Sequence, residues 1–523
     1  MEKIHIYDST LRDGAQGPGI SFSVEDKLKI VRKLDEVGVS YIEAGNPGSN
    51  PKDLEFFERL SKEKLSNAKI IAFGSTRKVG VKVSDDKNVR SLMDVGTDAV
   101  AIFGKSWDFH VTDILKTTLD ENLNMIYDTC LYFKENGKEV VYDAEHFFDG
   151  FKANKEYALK SLEMAVKAGA DSVCLCDTNG GCLPDEIFEI TKSVAECFEV
   201  EVGIHCHNDN GMAVANSVMA VKAGARQVQG TLNGYGERCG NLNLTTVIPS
   251  LQINMGFDCI PSESLARITE SFKYIDEVSN VTHDDKTPYV GRNAFAHKAG
   301  MHADAVHKNS SAYEHISPDV VGNERLFLMS EVSGRTAILR LINKVDPSID
   351  RNSPKAIEIL EKLKELEYEG YQYECAESSF EIVVRKILGK YKSFFSLEDF
   401  KLVVTEPTPN QINSSAMLKI HVGEQTEIVA SEGEGPVNAL DKALRKALEK
   451  FYPQISRVKL KDYKVRVLDS SSATAAKVRV MIESSDGVET WNTIGVSNDI
   501  LEASWKALVD SIEYKLMKEF LML

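Results

Sequence analysis

The chain has 523 residues, with 62 Lys+Arg against 79 Asp+Glu, a net charge of −17, and 43% hydrophobic and 27% charged residues. This composition supports packed cores and excludes general disorder; at roughly 150 residues per domain the length suggests about two to four domains, one α/β barrel absorbing ~250 residues. The acidic balance repels phosphate and so excludes a general nucleic-acid or anionic-membrane binder.

The first residues, MEKIHIYDST, carry no basic region followed by an apolar run, and no stretch of ~18 apolar residues occurs, so a soluble, cytoplasmic protein is expected. The nine cysteines form no CxxC pair and read as reduced core thiols rather than a disulfide framework or zinc ribbon.

Up to about residue 280, short β-branched runs alternate with amphipathic helical stretches. The runs are Ile4–Tyr7, Tyr41–Ala44, Ile70–Phe73, Ala99–Phe103, Glu139–Tyr142, Ser172–Cys176, Val202–Cys206 and Gln227–Gly230. That number over ~250 residues predicts a TIM (β/α)8 barrel. One connection recurs in EVGVSYIEAG, DVGTDAVAIF, KAGADSVCLC and KAGARQVQGT, where glycine ends a helix in the left-handed conformation and a strand follows. An open doubly wound sheet is the alternative, but it would more often show a glycine-rich phosphate turn where this chain has DSTLRDGAQ. Residues 1–280 are therefore assigned to a catalytic barrel.

Residues 281–394 form a linker region. Its first part is rich in His, Gly, Asn and Asp, and helices are predicted in PKAIEILEKLKELEYEG and SSFEIVVRKILG. Residues 395–523 contain a repeat, each copy reading strand, polar turn, strand, Gly-containing connection and long helix. Two such copies packed together make an α+β domain, expected to be regulatory or dimerising because it carries no cluster of catalytic groups.

His205-Cys206-His207 lies at a strand end, and residues i and i+2 on a strand share a face, so both imidazoles point one way. Two neutral His nitrogens make half a metal site. The same spacing also fits two hydrogen-bonded histidines in a packed strand. The end of the first strand delivers Arg12 and Asp13 to the same rim, where Asp13 would complete a His₂Asp set and Arg12 could hold a carboxylate or developing alkoxide; alternatively the two are a surface ion pair. Glu43, Glu145 and Asp177-Thr178 follow other strands. After the last strand comes GTLNGYGERCGN, in which Asn241 can offer an oxygen, so Asp13, His205, His207 and Asn241 together favour Mn²⁺, Mg²⁺ or Zn²⁺. His297, His302 and His307 are spaced by five, matching neither helix nor strand. One of them could be a general base, whereas His297 and His307 read as solvated loop residues. Phe73, Phe103 and Tyr142 lie near strand ends and could narrow a pocket, but core packing is the expected role of each.

DSTLRDGAQ, HCHNDNG, TLNGYGERCGN and AFAHKAGMHADAV resemble motifs of the 2-isopropylmalate, homocitrate and citramalate synthase family, metal-dependent TIM-barrel enzymes that condense acetyl-CoA with a 2-oxo acid. The resemblance runs nearly end to end, and YDAEHFFDGFKAN and IGVSNDILEASWKALVDSIEYKL look most like the citramalate branch, whose oxo acid is pyruvate. It implies metal ligands at Asp13, His205, His207 and Asn241, and carbonyl polarisation by Arg12. Glu145 would be catalytic, and Arg12, Gln16 and Thr178 would contact substrate. It further implies that His302 and Tyr313 reach the barrel of the partner subunit in a homodimer, His302 acting as base with Glu145 through water, and that isoleucine binds the C-terminal domain as inhibitor. Ala15 stands where the wider family more often has Glu, which weakens transfer of contacts around Gln16. Isopropylmalate or homocitrate synthase, a hydroxymethylglutaryl-CoA lyase-like enzyme and an inactive amino-acid sensor are the other readings weighed.

Overall fold

The computed structural model describes residues 2–48, 51–297, 302, 305–306, 308–327, 342–343, 345–349, 353–373, 376–405, 414–468 and 476–521. The chain divides into two compact units, Met1–Phe295 with Ile316–Arg325, and Ala296–His315 with Leu326–Leu523.

In the first unit eight parallel strands close into a barrel in sequence order: β1 (His5–Asp8), β2 (Tyr41–Gly45), β3 (Lys69–Ser75), β4 (Ala99–Lys105), β5 (Glu139–Glu145), β6 (Ser172–Asp177), β7 (Glu201–Cys206) and β8 (Gln227–Gly230). β8 pairs back onto β1, with Asp8 opposite Gly230. Strand alternation sorts the side chains. Ile6, Ile42, Val140, Val173, Ile204 and Val228 face outward into the core shared with the helices, while Tyr7, Tyr41, Ile71, Ala101 and Val141 fill the interior. The repeated connection behaves as its composition predicts: Gly38, Gly96, Gly169 and Gly224 all have positive φ, where a side chain would be strained. Several strands extend past the apolar runs, β5 by three residues, and this carries Glu145 to the rim.

In the second unit two helices form where expected, Pro354–Glu369 and Glu377–Ile387; the first starts at a Ser353 cap and stops at the left-handed Gly370. The C-terminal repeat is one strand longer per copy than its apolar pattern indicates. Ser396–Val404, Ser414–Val422 and Gln425–Gly433 form one antiparallel sheet; Lys459–Val467, Val478–Ser485 and Thr490–Ser497 form the other. The added strands are edges with mostly exposed or half-exposed side chains, so their sequences carry little hydrophobic signal. Both break register at the equivalent place, Leu397/Asp399 and Leu460/Asp462, which reinforces the repeat. One long helix packs on each sheet, Pro436–Glu449 and Ile500–Leu521, and the second sheet also meets Glu377–Ile387, where Ile494 N–H donates to Ser379 Oγ at 3.0 Å. No helix among the described residues is long and apolar enough to cross a membrane.

His297 departs from the loop reading: it is nearly buried and its Nε2 lies 2.9 Å from the buried Glu314 carboxylate. His307 lies outside the described residues. Of the cysteines, Cys197 and Cys239 are exposed rather than core; Cys130, Cys174, Cys176, Cys182, Cys206 and Cys259 are buried.

Candidate metal centre and substrate pocket

Arg12 and Asp13 are set by the turn that follows β1. Ser9 N–H donates to the Gly230 carbonyl, Arg12 and Asp13 N–H donate back to the Ser9 carbonyl, and the buried Asp8 carboxylate accepts from Thr10 N–H and Oγ1 at 2.9 Å each. The Arg12 guanidinium then meets Glu43 on β2: Nε donates to Glu43 Oε2 at 2.7 Å and Nη2 to Oε1 at 3.3 Å. Glu43 sits where the β2–β3 register shifts and also accepts from Tyr7 Oη at 3.0 Å. Arg12 packs flat over the Phe73 ring, 3.9 Å from its centroid, and Nη1 reaches Asp13 Oδ2 at 3.2 Å. Burial works against the guanidinium charge, but Glu43 and Asp13 outweigh it, so Arg12 stays charged.

Across the barrel mouth, His205 Nε2 lies 3.5 Å and His207 Nε2 3.9 Å from Asp13 Oδ2. Cys206 between them points outward into the core, as strand alternation requires. One ligand atom from each of Asp13, His205 and His207 lies within 4.8 Å of the other two, and all three residues are buried. Burial raises the Asp13 carboxyl, but Arg12, His205 and His207 pull it down to about 2. Burial, then His207, drives His205 down to about 3, and burial lowers His207 as well. The set is one carboxylate and two neutral imidazoles, the protonation that a divalent cation requires. Asn241 stands beside His207 in an isolated antiparallel bridge, its Nδ2 donating to the Tyr235 carbonyl at 3.1 Å. His205 Nδ1, His207 Nδ1 and Asn241 Oδ1 are buried without a hydrogen-bond partner. Unspent polar atoms around one carboxylate fit a bound cation better than a satisfied packed pair. A Cβ at Gly236 would collide with Asn241 Nδ2, so this glycine is what admits the amide.

These groups open on a cavity of ≈ 240 Å³ that joins Arg12, Asp13, Gln16, Glu145, Thr178, His205 and His207. Glu145 is ion-paired to Lys105, and Thr178 Oγ1 accepts the His146 N–H at 2.9 Å. His302 and Tyr313 belong to the second unit; both are exposed, and their rings stack with centroids 4.1 Å apart. Phe73 and Phe103 line the cavity, half-buried and stacked at 5.2 Å, and Phe73 also packs against the interior cluster of Tyr7, Tyr41, Ile71 and Val141; Tyr142 is fully buried on the outer side of β5 and packs in the core. Sequence reasoning also passed over Arg238, which lines the cavity. Its Nη2 donates to the Thr178 carbonyl at 2.8 Å and its guanidinium grips Asp209 through Nε at 2.7 Å and Nη2 at 2.9 Å, tying three strand-end loops together. Its backbone is left-handed, a conformation that one sequence cannot reveal in a non-glycine residue.

Residues 3–271 match the HMGL-like family, 289–370 the homocitrate synthase post-HMGL domain-like family and 374–516 the LeuA allosteric (dimerisation) domain. The (R)-citramalate synthase of Aquifex aeolicus is 53% identical over 99% of this chain and 98% of its own length. The chain belongs to the (R)-citramalate synthase group of the 2-isopropylmalate and homocitrate synthase family. Within that group the Geobacter sulfurreducens (R)-citramalate synthase is 49% identical over 99% of this chain and 98% of its own. A probable 2-isopropylmalate synthase of Methanopyrus kandleri is 33% identical over 98% of both chains. Membership of the citramalate synthase group makes the chain an enzyme, a transferase.

Proposed function

We propose that this chain condenses acetyl-CoA with pyruvate in a Claisen-type reaction and hydrolyses the resulting thioester to give citramalate and CoA. The observation that carries this reading is the meeting of one carboxylate, two neutral imidazoles and one fixed guanidinium on the wall of a cavity of ≈ 240 Å³. Asp13, His205 and His207, with Asn241 beside them, would hold a divalent ion, which would supply Lewis-acid polarisation of the oxo acid's ketone. Mn²⁺, Mg²⁺ or Zn²⁺ suits these nitrogen and oxygen donors.

Arg12 holds the ketone oxygen as it gains charge; because Glu43 and Tyr7 have already fixed its orientation, little reorganisation remains for the reacting state. Gln16 and Thr178 bind the oxo acid's carboxylate end. The stacked Phe73 and Phe103 shape a narrow apolar wall that suits the methyl of pyruvate better than a branched chain. His302, acting with Glu145 through water, takes the proton from the acetyl methyl, and Tyr313 steadies the His302 ring against which it stacks. The carbanion formed attacks the pyruvate carbonyl carbon, and water then cleaves the thioester. In the assembly this reading implies, a cytoplasmic homodimer, His302 and Tyr313 come from the partner and isoleucine binds the C-terminal domain as inhibitor. The match of residues 374–516 to an allosteric dimerisation domain supports that arrangement.

The test is thiol release with pyruvate, 2-oxoisovalerate and 2-oxoglutarate, with and without isoleucine. Pyruvate should be turned over best and isoleucine should depress the rate; preference for either larger acid refutes the substrate assignment. A mixed dimer of His302→Ala and Asp13→Ala subunits should regain activity that neither parent shows, and an inactive mixture refutes the trans arrangement.

A further inference from the structure

Beneath the substrate pocket, the inner side of β5 and β6 carries a second group of donors. Asp143 lies opposite Cys174 in the parallel ladder, and Cys176, two residues on, shares that face. One ligand atom from each of the three lies within 4.8 Å of the others, and all three residues are buried. Neither thiol is in a disulfide. Cys176 Sγ donates weakly to the Cys174 carbonyl at 3.7 Å, and Asp143 Oδ1 accepts from Gln229 Nε2 at 2.9 Å. Cys176 and Asp143 both border the cavity, so an ion has a way in from above. On the β7 side Gly203 leaves no spare room, since a Cβ there would approach Cys174 Cβ to 3.3 Å.

We propose that Asp143, Cys174 and Cys176 form a second cation site, selective for soft, thiophilic divalent ions such as Cd²⁺, whose occupation inhibits the enzyme from the floor of its own substrate pocket. The donor chemistry separates the two sites. Asp13, His205 and His207 offer oxygen and nitrogen, which Mg²⁺ and Mn²⁺ accept; a pair of thiolates discriminates against those ions and favours soft ones. On binding, two S–H bonds break, two metal–sulfur bonds form and two protons leave to solvent, with no change of oxidation state. Two thiolates and one carboxylate neutralise the dication to a net single negative charge, and a fourth tetrahedral position is left facing the pocket. An ion there takes Asp143 and Cys176 out of the pocket wall and adds charge where the oxo acid's apolar end must lie. The binding half is independent of the reaction; the inhibition half rests on the proposed use of the pocket.

The experiment titrates Cd²⁺ into the full chain loaded with Mg²⁺, following the ultraviolet thiolate-to-cadmium charge-transfer band and, separately, thiol release. One equivalent should develop the band and abolish turnover, with recovery on chelation. Asp13→Asn should keep the band. Cys174→Ser lies outside the pocket lining; it should lose the band, keep Mg²⁺-supported turnover, and require about tenfold more Cd²⁺ or higher for half-inhibition, the least that changes in a ligand shell produce. Absence of the band at one equivalent overturns the proposal, as does inhibition of Cys174→Ser at the wild-type Cd²⁺ concentration. If Cys174→Ser does not fold, Asp143→Asn keeps both thiols and the volume and should weaken Cd²⁺ binding by the same factor. Unchanged affinity would place the binding thiols elsewhere and refute the site.

Discussion

Replacing Glu43 by Gln tests whether the orientation of Arg12, rather than its charge alone, drives turnover. The substitution keeps shape and leaves one oxygen to accept from Tyr7 Oη and Arg12 Nη2, but it replaces the oxygen that accepts from Arg12 Nε at 2.7 Å by an amide NH₂ that cannot accept. A hydrogen bond to a charged group contributes about 1.5–3 kcal/mol, so losing the one from Nε costs the oriented state about 2 kcal/mol. At 1.36 kcal/mol per decade this is a loss of about 30-fold in kcat/KM. Arg12 is also freed to close on Asp13, now 3.2 Å away, and to compete there with the cation. Metal affinity should therefore fall together with turnover. The assay is steady-state thiol release over a pyruvate series at saturating Mn²⁺, with metal binding measured by calorimetry. Wild-type kcat/KM and metal affinity in Glu43→Gln would refute the positioning argument, because Arg12 would then need no buried carboxylate behind it.

His207→Ala should lose bound metal and turnover while keeping a wild-type far-ultraviolet circular dichroism spectrum; a metal-free yet active variant would defeat the assignment of the centre. Phe103→Ala opens the apolar wall and should shift the ratio of kcat/KM for 2-oxoisovalerate over pyruvate upward by about tenfold, since each methylene is worth about 1–3 kcal/mol; an unchanged ratio would return Phe103 to a packing role. In the metal-free protein His205 should contribute an acid-sensitive part of the stability, against the buried Asp8 and Asp143, which burial raises from 3.8 to about 7 and which act with the opposite sign. His205 falls from its ordinary 6.5 to about 3, first through burial, so between those values the unfolded chain binds a proton that the native one excludes. The stability contributed by this group therefore drops as pH is lowered through 6.5, by up to about 5 kcal/mol near pH 3. Asp13, lowered from 3.8 to about 2 by Arg12 and the two histidines despite burial, adds a loss of the same sign of about 2 kcal/mol between those pH values. Urea unfolding against pH in chelator measures the slope, from which His205→Gln should remove this acid-destabilising term between about pH 6.5 and 4; a slope unchanged from wild type would show that His205 does not contribute it.

The barrel was legible in the sequence because a buried parallel strand must be apolar on both faces and its helix must stop at a residue tolerant of positive φ, and both signals recur at Gly38, Gly96, Gly169 and Gly224. The pairing of His205 with His207 was legible for the same local reason, the two-residue period of a strand. Local patterns do not contain distance between strands. That Asp13 meets those imidazoles, that Glu43 stands behind Arg12, and that Asp143 lies opposite Cys174 follow only from barrel closure and register, which bring residues far apart in the chain onto one inner surface. That Phe73 and Phe103 border a cavity as well as packed neighbours was not legible, because an aromatic residue at a strand end looks the same whether it faces a core or a cavity. The edge strands of the C-terminal repeat left no trace because their faces are largely solvated. The sequence determined which residues can bear the chemistry; closure of the sheet decided which of them share a pocket, because only then do side chains on different strands compete for the same charge, cation and volume.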